Sequence, residues 1–122
     1  MSITKVPLVS SETLQVLEES LNGELGLCRN FVSRFIDMWP GRFERIHEAI
    51  TTAHQEDAMD AALSLRSSSM MVGGARLGAM ATDIIALLEY EAYAQAATKL
   101  ATLQRCGNQT TRQLKACYVN AA

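Results

Sequence analysis

Apolar residues recur at steps of three and four along nearly the whole chain, the period of helices that bury one face. Strand-like alternation between turn dipeptides is not found. The first helix is expected to start at Ser10-Ser11, where either hydroxyl suits a free N–H of the opening turn and Glu12 suits its positive end. Leu14, Leu17 and Leu21 mark its face, and Asn22-Gly23 is its stop. A second helix is predicted from about Glu24 to Ala53, with a stripe of Leu25, Cys28, Phe31, Phe35, Met38, Trp39, Phe43, Ile46 and Ile50. Pro40 lies inside it. Proline removes one helical hydrogen bond and crowds the preceding turn, so a kink is expected around Phe35–Trp39.

The third helix begins near His54, with Gln55, Glu56 and Asp57 in its first turn, and runs to about Met71 before Val72-Gly73-Gly74 breaks it. The fourth spans Ala75 to about Glu89 and shows Leu77, Met80 or Ala81, Ile84, Leu87 and Leu88. The fifth, from about Ala92, carries Tyr93, Ala97, Leu100, Leu103, Gly107, Thr111, Leu114 and Tyr118. Gly107-Asn108 is a weak point in it, costing about 1 kcal/mol against alanine. The pattern is all-α. Short connections make neighbours antiparallel, so the expected product is an up-down four-helix bundle preceded by a short extra N-terminal helix. Residues 1–122 read as one domain, with the bundle core at about 24–118.

Composition narrows the function. Of 122 residues 48% are apolar, enough for a core, and the net charge is −2 with a pI near 5.6. Lys and Arg are scattered, which argues against nucleic acid as a partner. No run approaches a membrane span, and MSITKVPLVSS lacks the apolar stretch of a secretory signal. Cys28, Cys106 and Cys117 are widely spaced and form no CxxC pair, so neither a metal site nor a disulfide framework is expected, and they read as small buried or half-buried residues. A cytoplasmic protein without a cofactor fits best. No acid/base pair or phosphate-cradling loop points to an enzyme, and Gly73-Gly74 alone is a turn.

The third helix carries the candidate site. With Ala58 set at zero on a helical wheel, Ala62, Leu65 and Ser69 fall within about 40° and form its core stripe. Leu63 falls about 140° away, on the outer face; Met59 and Met70 lie near about 100–120°, Arg66 near about 80°, and Ser67 opposite the core. An adaptable apolar cluster ringed by Asp60, Glu56 and Arg66 has the composition of a partner surface. Ser64, Ser67, Ser68 and Ser69 keep this stretch low, so a partner can approach closely, although serines are poor helix formers.

These residues resemble the histidine-containing phosphotransfer (HPt) family, four-helix bundles that pass phosphoryl groups between receiver domains. Ala62, Leu65, Ser68, Val72, Gly73 and Leu77 fall on positions of its motif. Arg66 stands where the family has lysine, Ser67 where it has a small residue, and Gly74 where it has alanine. The series Phe31, Phe35, Pro40, Phe43, Ile46 and Ala49 looks like the family's second helix. Leu87-Leu88-Glu89 followed by Leu100, Leu103 and Leu114 looks like its closing pair, so the likeness runs from about Leu14 to Leu114. The departure is at the phosphoacceptor, whose place Leu63 takes. Phosphoryl transfer needs a nucleophile in line and cations on the spread charge, and leucine has no lone pair. The resemblance therefore implies a degenerate member that keeps the docking face and loses the chemistry. It would bind the receiver domain of a response regulator or of a hybrid histidine kinase through Met59, Leu63, Arg66, Ser67 and Met70, as inhibitor or adaptor. Two alternatives stay open: a structural bundle with a homodimer seam at Leu63, and an active phosphotransfer protein that uses His54 or His47.

Overall fold

The computed structural model describes residues 7–21 and 25–116. They fold into α1 (Ser11–Ser20), α2 (Leu25–Thr51), α3 (Gln55–Met71), α4 (Ala75–Glu89), α5 (Tyr93–Ala97) and α6 (Leu100–Leu114), with no strand among the described residues. The stop at Asn22-Gly23, the side chain of Leu25, and Cys117 and Tyr118 lie outside them. α3 packs between α2 and α4; α6 lies against both α2 and α4, and α1 touches α2 and α3.

Local chemistry sets the ends. The Ser10 hydroxyl accepts the Thr13 N–H at 3.2 Å and caps α1. The Ser10 N–H donates to the Gly73 carbonyl at 2.6 Å, tying α1 to the turn between α3 and α4. That turn needs its glycine. Gly73 has φ +80, and a Cβ there would lie 2.6 Å from the Ser10 carbonyl oxygen. The expected bounds of α3 and α4 agree with the structure, and so does their core. Ala58, Ala62, Leu65 and Ser69 are buried on α3; Leu77, Ala81, Ile84 and Leu88 on α4, while Met80 and Leu87 are half-buried. Leu14 and Leu17 are buried on α1, and Leu21 is half-buried.

α2 is one continuous helix with Pro40 inside it, and one expectation about it changes. Its core stripe is Cys28, Val32, Phe35, Trp39, Phe43, Ile46 and Ile50, whereas Phe31 and Met38 are 36% and 46% exposed. Phe31 and Met38 lie about 80–100° from the centre of that arc, at the edge of what a helix this long can bury. Val32 takes the inward place beside Cys28.

The last expected helix is two. The N–H groups of Thr98 and Lys99 bond three residues back, to Gln95 and Ala96, and the Thr98 hydroxyl also donates to the Gln95 carbonyl at 2.6 Å. These tighter bonds interrupt the ladder between α5 and α6. The weak point expected at Gly107 does not end the helix, because α6 continues to Leu114. Trp39 lies directly on it: a Cβ at Gly107 would come within 1.9 Å of the indole Cζ2. Asn108 accepts the indole N–H at 2.9 Å. Thr110, rather than Thr111, is fully buried, its hydroxyl donating to the Cys106 carbonyl at 2.8 Å. Cys28 and Cys106 are buried in the core, and burial pushes the Cys106 thiol pKa up. Among the described residues no helix is long and apolar enough to cross a membrane.

Candidate functional site

Leu63 points outward, as its place on the helix requires. It is 38% exposed midway along α3, between Ala62 and Leu65, which are both buried. Met59 and Met70 stand one and two turns away on the same side, the first half-buried and the second 56% exposed. Met70 has room because α4 offers a glycine opposite it. A Cβ on Gly78 would come 2.9 Å from Met70 Cγ and 3.9 Å from the Arg66 carbonyl oxygen. Arg66 is half-buried on this α4-facing side, and Ser67 is exposed on the outer ridge. All five expected residues thus form one row, with spacings of four, three, one and three residues.

Charge divides the row. Below Leu63 lies a depression of about 540 Å³ lined by Gln55, Glu56, Asp57, Met59, Asp60 and Leu63. Arg45 of α2 reaches Asp60 at 2.8 Å and Asp57 at 3.4 Å, and these carboxylates, Asp60 foremost, push its guanidinium pKa further up. On the other flank, α2 and α3 enclose a groove of about 370 Å³ lined by Phe31, Arg34, Phe35, Met38, Arg42 and Ser68. Arg42 Nη1 donates to the Ser64 hydroxyl at 2.9 Å, which fixes the guanidinium over the middle of α3. The sequence reading missed this second flank because it assigned Phe31 and Met38 to the core. The signal was their angular offset from Cys28, Phe35 and Ile46.

Leucine has no electron pair for phosphorus, and the Ser64 hydroxyl already accepts from Arg42. The two histidines lie elsewhere. His54 precedes α3 and shares a 2.6 Å hydrogen bond with the Thr52 hydroxyl through Nδ1. His47 stacks near Phe43 at 5.8 Å and lines a cavity with Leu100 and Gln104 of α6. Among the described residues no group of His, Cys, Asp and Glu is placed to hold a metal ion. No protein-family model, curated protein or solved structure matches the chain.

Proposed function

We propose that this is a phosphotransfer-like domain without a phosphoacceptor, a cytoplasmic binding protein of a phosphorelay. On this reading α2, α3, α4 and α6 are the antiparallel up-down bundle, and α1 is the extra helix. The partner is the receiver domain of a response regulator or hybrid histidine kinase, held through Met59, Leu63, Arg66, Ser67 and Met70. The observation that carries it is the outward Leu63, flanked by two methionines and a half-buried Arg66 at the place where the resemblance puts a nucleophile. Arg66 suits an acidic receiver pocket, since a guanidinium meets carboxylates in a planar fork. Burying the exposed 38% of Leu63 would add about 1 kcal/mol to such a contact.

The test is a titration of purified receiver domains from the native host. Saturable binding is expected, weakened by Leu63→Asp, with no label transferred from a phosphorylated receiver. Leu63→His is expected to gain acid-labile phosphate from the receiver that binds. If no host receiver binds, or if a folded Leu63→His takes no phosphate from a receiver it binds, the reading is wrong.

A further inference from the structure

The face that carries Leu63 is complementary to itself. Residue number rises along α3 as it falls along α2: Arg45 meets Asp57 and Asp60, Arg42 meets Ser64, and Met38 shares its groove with Ser68. Continued by one turn, this register sets Arg34 level with the C-terminal end of α3. Take the level midway between Ser64 and Leu65 as origin. At 1.5 Å per residue, Arg34 then lies about 11 Å to one side and Asp57 about 11 Å to the other. Met70 and Met59 likewise lie about 8 Å to opposite sides. The charged pair stands on the α2 side of the α3 ridge and the methionines on its α4 side.

One two-fold axis, lying in this face and crossing the helices at that level, satisfies both pairs together. It lays Arg34 on Asp57 of a second copy, Met59 on Met70, and Leu63 beside Leu63. Each contact is made twice, as an isologous interface requires. The charges are ready for it. Among the described residues neither Arg34 nor Arg42 is paired with a carboxylate, while the Asp57 and Asp60 side chains are 67% and 73% exposed. The two copies of Arg42 approach near the axis, and an Asp60 about 7 Å to either side offsets their like charge. We propose that the α2–α3 face is a two-fold self-association surface whose occupant is a second copy of this chain. The proposal does not rest on receiver binding.

Sedimentation equilibrium of the full chain over a wide concentration range tests it. The chain is expected to form a dimer and no larger species. Leu63→Asp, Arg34→Glu and Asp57→Lys should each weaken the dimer about tenfold or more, with helical circular dichroism unchanged. An equimolar mixture of the Arg34→Glu and Asp57→Lys chains should regain association. In the mixed dimer each introduced charge faces its opposite, and one original Arg34–Asp57 pair is kept. A monomer at every concentration, an open-ended assembly, or a mixture no tighter than its two components would overturn the proposal. A monomer that still binds a receiver overturns this proposal and leaves the first one standing.

Discussion

Replacing Gly107 by alanine is expected to destabilise the protein, against the usual direction for a helical glycine. In an exposed helix the change would stabilise by about 1 kcal/mol, because alanine loses less backbone entropy. Here the new methyl would sit 1.9 Å from Trp39 Cζ2 and 2.3 Å from Cε2 and Cη2. Carbon atoms rest at about 3.5–4 Å, so the indole must withdraw by more than about 1.5 Å. Trp39 is 3% exposed and held by its N–H to Asn108, so it has little room to move. Overpacking costs about 1–3 kcal/mol and the strained hydrogen bond about 1 kcal/mol more. Set against the helix-propensity gain, the net loss is about 2 kcal/mol. For a chain of 122 residues that lowers Tm by about 8 °C. Thermal unfolding followed by circular dichroism measures it. Trp39 is the single tryptophan, so its emission should shift to the red as the ring leaves the core. Trp39→Leu in the same chain should cost less in the Gly107→Ala background than in the parent, giving a favourable coupling in a double-mutant cycle. A Gly107→Ala protein as stable as the parent, with unchanged emission, would refute the seating of Trp39 on α6.

Ser69 is fully buried, and its hydroxyl has no hydrogen-bond partner among the described residues, so Ser69→Ala should raise stability by about 1 kcal/mol in urea denaturation. Burial raises the Cys106 thiol pKa in the folded state. The folded protein therefore holds that proton more tightly than the unfolded chain, and the stability this contributes is full below the ordinary thiol pKa of about 8.5. It should be lost as pH rises towards the higher folded value, a slope that Cys106→Ala removes when stability is measured from about pH 8 to 10. Leu63→Asp should change the unfolding midpoint little, since the residue is 38% exposed; a loss above about 2 kcal/mol would mean that Leu63 serves the core after all.

The helices were legible in the sequence wherever one signal was strong. Acids after His54 and the paired glycines after Val72 bounded α3 to within about a residue, and the spacing of Leu77, Ile84 and Leu88 marked the buried side of α4 while leaving Met80 or Ala81 open. What the sequence obscured was pairwise. Phe31 is as apolar as Phe35, and only the width of the arc that neighbouring helices cover decides that one is buried and the other is not. Gly107 looked like a weakness because propensity is a property of one helix, whereas its use is to admit an indole from another. The Thr98 hydroxyl competes with the ladder through one local bond, too small a signal beside the apolar run around it. The site divides in the same way. The row on α3 follows from a single helical wheel, but Arg34, Arg42 and the groove beside Ser68 require knowing which part of α2 lies across from it.

The two proposed uses of Leu63 are linked by mass action. The buried part of Leu63 already serves the monomer, and its exposed 38% is what either proposed partner would cover. A receiver and a second copy would both cover Leu63, Met59 and Met70, so one must leave before the other binds. A ligand that binds only the monomer is opposed by RT ln of the ratio of total to free monomer, and its apparent affinity falls by the monomer fraction. If both surfaces operate, apparent receiver affinity should therefore fall as the concentration of this chain rises above its dimer constant. Arg34→Glu should shift that dependence to about tenfold higher concentration or beyond, because Arg34 is outside the five-residue row and belongs to the self-association surface alone. Receiver binding that stays constant across the dimerisation range would place the receiver on some other face, while leaving the two-fold geometry of this one intact.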